Sequence, residues 1–450
     1  MEKKEKNKKP GKVGIGKFWA WQSRGISLAA NFMVLGYLSM YCTDALHMSA
    51  ALVGTLLLFS KLFDGITDLF AGYLIDNTNT KWGKARPYEL AILGVWLCTW
   101  LLYSCPTEAS TAVKCIWIFL LYTLTNSVFA TLLNTNGTPY MLRAFSNQEQ
   151  YVKINALGGI VVMLASIIVS MSLPIAIATV ATSAAGWKKL IMMYAVPLAF
   201  IGILRFVFVK EDSNISAEVK DKVNLKELIT VLKTNKYIYP VVGVTFLFQL
   251  IVGMNVANYF FKYVIGDLAS MSIFGMLSII VLPVMSFFPA LMKKFSVAQL
   301  TAAGAIIGAI GGLIAFLAGA SIPVLLVAGL MTSMATLAPS YMMALMLLDC
   351  GNYNELMGMP RMDGTISAVN SFATKLGSGI GSGMVGIVLG IAGYNGELAV
   401  QTSAVNMTLR GIYGLVPFAG YLVVAILMSR YKLNEINNQL RANGVGSSKQ

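Results

Sequence analysis

Residues 60–76 read SKLFDGITDLFAGYLID, and the charges in this run decide what kind of protein the chain is. The enclosing stretch from Ala51 to Ile75 is otherwise apolar and exceeds the roughly 20 residues that cross a hydrocarbon core of about 30 Å. Lys61, Asp64 and Asp68 interrupt it at spacings of three and four, which puts all three on one helical face. Charges at membrane depth cost about 2.5 to 3.5 kcal/mol each on insertion scales, so they are kept for a purpose and with a partner. A structural ion pair of Lys61 with either acid is the plain reading. One lysine cannot neutralise two acids, however, and the surplus carboxylate points to function. Thr67 adds a hydroxyl beside that face. Two carboxylates and a hydroxyl suit a hard cation such as sodium, or a proton shared between coupled acids. Asp64 and Asp68 are therefore the expected ligands of a metal ion, Na+, if the cation is sodium.

Composition extends this reading to the whole chain. Of 450 residues, 56% are hydrophobic and 12% charged, about half the charged fraction of a soluble domain, and the mean hydropathy is +0.69. The net charge of +14 does not point to nucleic acid, because the basic residues lie between apolar runs and form no soluble basic module. The five cysteines, Cys42, Cys98, Cys105, Cys115 and Cys350, show neither CxxC pairing nor metal-ligand spacing with the lone histidine, His47, and read as small apolar residues. The lysine-rich start leads into an apolar run longer than a signal core with no cleavage motif, so the first span is expected to stay.

The same ruler finds about twelve predicted spans, with backbone groups paired internally because lipid offers no partners. Six centre on Phe18–Thr43, Ala51–Ile75, Leu90–Cys105, Ala112–Leu133, Ile154–Val180 and Leu190–Val209. Six more run Tyr237–Ile265, Ser272–Met292, Leu300–Ala318, Pro323–Leu348, Thr365–Ile391 and Met407–Ser429. The longest polar stretch, 210–236, separates them and carries one amphipathic piece around Leu225 to Leu232. Lysine and arginine gather on one side of this pattern, in the tail to Lys17, Lys81, Lys84, Arg86, Arg143, Lys153, the linker, Lys293, Lys294, Arg361, Arg430, Lys432 and Arg441. Only Lys114, Lys188, Lys189 and Arg410 fall opposite. Both termini and the linker are thus expected in the cytoplasm of a multi-pass protein of the cell membrane. The expected organisation is a basic tail (1–17), a first six-helix half (18–209), a linker (210–236), a second half (237–430) and a C-terminal tail (431–450). This all-α integral membrane arrangement, twelve transmembrane helices in two six-helix halves, resembles the major facilitator superfamily, whose solute site lies between the halves.

Few other polar residues need explaining. Lys375 lies on a stripe with Ser367, Ser371, Ser378 and Ser382 at steps of three and four, which points to a water-filled cavity. Gly377, Gly379, Gly381 and Gly383 offer helix packing as the alternative. Thr123 and Asn126 share a face of the fourth span, and Asn134, Asn136, Gly137 and Pro139 beyond them are expected to break or loosen that helix. Arg24 lies about two turns inside the first span, where snorkelling to headgroups competes with a solute role. After the second span come Gly72, Asp76, Lys81, Gly83, Lys84, Arg86 and Pro87, an acid at a helix end beside clustered bases. Such a pattern suits a two-state latch, and Gly72, Asp76, Gly83, Lys84, Arg86 and Arg361 are the expected gate.

Residues 43–90, TDALHMSAALVGTLLLFSKLFDGITDLFAGYLIDNTNTKWGKARPYEL, and 347–381, LLDCGNYNELMGMPRMDGTISAVNSFATKLGSGIG, resemble the glycoside-pentoside-hexuronide:cation symporter family, typified by bacterial melibiose permease. The likeness runs nearly end to end. It implies that Asp64 and Asp68 bind the coupling cation with help from a hydroxyl at Thr123, and that Lys375 links the cation and sugar sites. The family's sugar-gripping acids on the first and fourth helices are matched here by Leu28 and Asn126, neither of which is an anionic acceptor. Keeping Lys375, and with it Arg24, makes the expected cavity more positive, which favours an acidic sugar such as a uronide.

The function expected on this basis is symport of a sugar-type solute with Na+ or H+ by alternating access, with no cofactor, the lipid bilayer as surroundings and no nucleic acid. Lys61, Arg24, Leu28, Asn126 and Lys375 are the expected solute or coupling residues. Two rivals remain open. One is a same-fold carrier of a non-sugar solute such as a lysolipid. The other is an integral-membrane transferase, which calls for a catalytic cluster and a phosphate motif that the sequence does not display.

Overall fold

A computed structural model of the chain describes residues 13–78, 80–145, 148–211, 233–359 and 362–442. Arg361 and the amphipathic piece around Leu225 to Leu232 lie outside the described residues, as do the side chains of Asp68 and Asp76 and the surroundings of Gly72. Among the described residues regular structure is helical throughout, apart from a single Thr80–Gly83 bridge. Lipid leaves the backbone no other economical way to pair its own polar groups.

Among the described residues, eight helical stretches are long and apolar enough to cross a membrane: Ile15–Ala45, Thr111–Ala144, Leu157–Val180, Ala184–Phe208, Ile238–Ile265, Val297–Ala318, Asp363–Ile391 and Ser403–Ala442. The other expected spans also correspond to helices. Ala50–Asn77 carries the charges of the second span. Ala91–Leu102 is short and is preceded by the 3-10 turn Arg86–Leu90. The eighth is broken into Met271–Gly275, Leu277–Ser286 and Phe288–Leu291. The tenth, Ile322–Leu356, is a single helix of 35 residues with Pro339 inside it. Large side chains such as Ile168, Phe200, Leu317 and Ile391 stand more than half exposed on these helices, which suits a surface whose solvent is hydrocarbon.

The chain forms two compact units. One comprises Met1–Leu38 and Phe63–Val219, the other Ser39–Leu62 and Lys220–Gln450, so the helix Ala50–Asn77 passes from one to the other at Leu62. In the first unit Ile15–Leu35 packs on Ala184–Phe208 and Gln148–Val180, and a small core gathers Trp21, Ala85, Tyr140, Phe145 and Val209. In the second, Val297–Ala318 packs on Ile322–Leu356 and Val416–Ser429, while Asp363–Ile391 lies along Ile238–Gly253. That last contact is as close as backbones allow: a Cβ on Gly381 would sit 2.2 Å from the Leu250 carbonyl oxygen. The glycine row around Lys375 therefore does serve packing.

Among the described residues, four π-helical turns punctuate the helices, at Tyr41–Ala45, Leu124–Ala130, Phe260–Ile265 and Gly411–Leu415. Such turns insert an extra residue and are frequent at functional sites. Here three of them carry Asp44, Asn126 and Lys262. The expected break near Pro139 is not found, since Thr131–Ala144 runs straight through that proline. The irregularity lies upstream, at the π turn Leu124–Ala130.

Candidate functional site

Asp64 is 9% exposed on its helix, and its Oδ1 accepts a hydrogen bond of 3.1 Å from the Thr131 hydroxyl. A charge of that burial needs donors around it, and a hydroxyl supplies one without adding charge. Thr67 donates its proton to the Asp64 backbone carbonyl at 3.1 Å, which leaves its lone pairs available. Thr123 ends the helix Thr111–Thr123 immediately before the π turn, and Asn126 sits within the turn with its amide donating to Tyr122 O at 3.1 Å. Leu28, on Ile15–Leu35, is half-buried in the same unit. Thr131 was not singled out from the sequence, although it follows Thr123 and Ser127 at steps of four on one helical face.

Lys61 and Lys375 belong to the second unit and are both half-buried. Along the stripe of Lys375, Ser367 and Ser371 are exposed and Ser378 and Ser382 half-buried, so the polar face grades from open to enclosed along the helix. Among the described residues no group of three or more His, Cys, Asp or Glu side chains is placed to hold a metal ion.

Arg24 does not snorkel. Its side chain is 11% exposed, and its Nε lies 3.5 Å from Oε2 of Glu89, which is fully buried. The same oxygen lies 3.6 Å from Arg205 Nε, and the Arg205 guanidinium stacks 3.2 Å above the Trp21 ring. Asn136 completes the cluster by donating to Glu89 Oε1 at 3.0 Å and to Ala85 O at 2.9 Å. A buried carboxylate attracts the guanidinium inward more strongly than headgroups attract it outward. Glu89 and Arg205 were legible as charges at or within predicted spans.

Gly83, Lys84 and Arg86 are brought together, with an acid that was passed over. The Glu211 carboxylate accepts from the backbone N–H of Lys84 at 3.1 Å and of Ala85 at 2.7 Å, and also from that of Arg86. Three successive N–H groups around one anion form a nest. Gly83 makes it possible, with φ at +115° and no Cβ to strike the carboxylate. Arg86 in turn donates to Phe206 O at 2.8 Å and covers the Phe206 ring.

A further charged cluster escaped the sequence reading. Asp44, 8% exposed, faces Lys262 Nζ at 2.5 Å and accepts from Tyr263 OH at 2.9 Å, from Tyr394 OH at 2.5 Å and from the Thr43 hydroxyl at 2.7 Å. Lys262 stands in the last turns of a predicted span, where an unexplained charge was the available signal.

Membrane-length helices, charges buried along them and π turns beside those charges define a polytopic membrane transporter. The chain belongs to the MFS/sugar transport protein family, whose profile matches residues 26–435. It is 28% identical over 428 residues to the isoprimeverose transporter of Lactiplantibacillus pentosus, covering 91% of this chain and 87% of that one. It is 26% identical over 412 residues to the glucuronide carrier protein homolog of Escherichia coli K12, covering 89% and 88%. The resemblance to glycoside-pentoside-hexuronide:cation symporters thus holds along the chain, and these matches are transporters, not transferases. Among solved structures, a bacterial homologue of the human drug peptide transporters PepT1 and PepT2 superposes with a TM-score of 0.65 at 14% identity, covering 94% of this chain and 99% of the other. That likeness speaks for the fold alone.

Proposed function

We propose that the protein is a cation-coupled symporter that moves a sugar-type solute into the cell by alternating access, from a cell membrane in which both termini are cytoplasmic. The observation that carries this is Asp64, a carboxylate 9% exposed on a membrane-length helix and bonded by a neutral hydroxyl. Asp64 and Asp68, with Thr67 and Thr123, take the coupling ion, Na+ or H+. Asn126, Leu28, Lys61 and Lys375 serve the solute and its coupling to the ion. Relatives named for isoprimeverose and for glucuronides support a sugar-type solute. With Arg24 engaged by Glu89, Lys375 is the charge that inclines the site to an acidic sugar. Gly72, Asp76, Gly83, Lys84, Arg86 and Arg361 act as the gate, with Glu211 as the acid that seats the loop. Residues 18–209 and 237–430 are the halves that alternate.

Ion binding neutralises the paired acids, and half-loaded states are disfavoured. The two affinities are then reciprocally linked. The test is uptake in cells expressing the chain, with isoprimeverose, a glucuronide and a lysolipid as competitors, in the presence and absence of sodium and across a proton gradient. Asp64→Asn and Asp68→Asn are expected to insert normally and to lose ion-driven accumulation. Undiminished concentrative uptake in both variants sinks the proposal, and competition by the lysolipid alone moves the solute out of the sugar class.

A further inference from the structure

A threonine inside a helix ordinarily gives its hydroxyl proton to the carbonyl four residues back, as Thr55 gives to Ala51, Thr99 to Val95 and Thr125 to Leu121. Thr131 departs from this habit. It closes the π turn Leu124–Ala130, and its hydroxyl therefore meets the carbonyl of Asn126, five residues back, at 3.1 Å. The same oxygen lies 3.1 Å from Asp64 Oδ1. Thr131 is 5% exposed, so bulk water does not compete freely for the hydroxyl. A hydroxyl has one proton and two lone pairs, and here it faces two acceptors at equal distance.

We propose that Thr131 is a positioning residue whose hydroxyl reorients with cation occupancy at Asp64. Without a cation it donates to the ionised carboxylate and holds it in place. With sodium bound, the proton turns to Asn126 O and the hydroxyl presents a lone pair to the ion. With a proton bound instead, the Asp64 O–H donates to Thr131 Oγ1, and Thr131 donates to Asn126 O. The Asn126 carbonyl already accepts the Thr131 backbone N–H, so a second donor there signals occupancy to the turn that carries Asn126. This inference rests on reading Asp64 as the cation carboxylate.

The test compares wild type, Thr131→Val, Thr131→Ser and Asp64→Asn as full-length protein in proteoliposomes, read by intrinsic tryptophan fluorescence. Sodium chloride is titrated against choline chloride at constant ionic strength, and protons are titrated separately. Thr131→Val removes the lone pair given to the ion, a loss expected to outweigh the weaker hold on the empty carboxylate and to raise half-saturating sodium about tenfold. Thr131→Ser, which keeps the hydroxyl, is expected to stay within about twofold of wild type. A structural role alone lowers yield or thermal stability without moving half-saturation. Wild-type half-saturation in Thr131→Val, or an equal loss in Thr131→Ser, overturns the inference. Thr131→Ala replaces the valine variant should that one fail to reconstitute. An undiminished response in Asp64→Asn, or none in wild type, instead defeats the cation-site reading, so the two failures are told apart.

Discussion

Asp44 and Lys262 each stand on a π turn that follows a break in a long helix, and their side chains meet at 2.5 Å. The first of these helices runs Ile15–Leu35, a break, Leu38–Met40 and the π turn Tyr41–Ala45. The second runs Ile238–Gly253, a break, Ala257–Tyr259 and the π turn Phe260–Ile265. In each, a tyrosine stands three residues before the charge, Tyr41 before Asp44 and Tyr259 before Lys262. The two charges are of opposite sign and satisfy each other.

Removing either partner is expected to lower the thermal midpoint of the purified protein. Lys262 is 35% exposed, so solvent screening holds the coupling in a double-mutant cycle of Asp44→Asn and Lys262→Gln to about 1 kcal/mol. Strictly additive shifts are the outcome that denies the pair an energetic role.

Among the described residues, Glu89 is the carboxylate that faces both Arg24 and Arg205, and its side chain is fully buried. Glu89→Ala leaves two guanidinium groups with no counter-charge there, and a loss of about 3 to 5 kcal/mol is expected, read as collapse of the folded yield. Arg205→Lys is expected to restore little, because an ammonium does not reproduce the planar stack on Trp21. Normal yield from Glu89→Ala contradicts this.

Gly83 and Glu211 are expected to be coupled. Gly83→Ala meets both a left-handed backbone, at about 1 to 2 kcal/mol, and the Glu211 carboxylate, which a Cβ would approach to 2.5 Å. In a Glu211→Ala background only the backbone cost remains. The measurement is limited proteolysis of the loop in all four proteins, and equal effects of Gly83→Ala in both backgrounds contradict the nest.

Gly381→Ala drives a methyl group against the Leu250 carbonyl, and backbone cannot rotate aside as a side chain does. Overpacking of this kind costs about 1 to 3 kcal/mol. Its thermal midpoint is expected to fall clearly below that of Gly393→Ala, where no atom lies within 4 Å but φ is +82°. The reverse order shows that the interhelical approach matters less than the turn.

Much of this protein was legible before any coordinates. Lys61, Asp64 and Asp68 in an apolar run, the helical stripe of Lys375 and the alternation of apolar and basic segments were sufficient for a membrane carrier, because cost in lipid depends on residue type and period alone. The partners were another matter. That Asp64 is bonded by Thr131, that Arg24 turns inward to Glu89 and Arg205, that Glu211 seats the Gly83 loop and that Asp44 meets Lys262 are contacts between residues 65 to 218 positions apart. Helical period places a residue on a face, but the neighbour opposite that face is set by how helices pack and where a π turn shifts their register. Sequence by itself determined the solvent, the class of fold and which charges needed explaining. Only the tertiary structure decided which group answers each charge, because a buried charge is satisfied by whatever donor or counter-ion packing brings within about 3 Å.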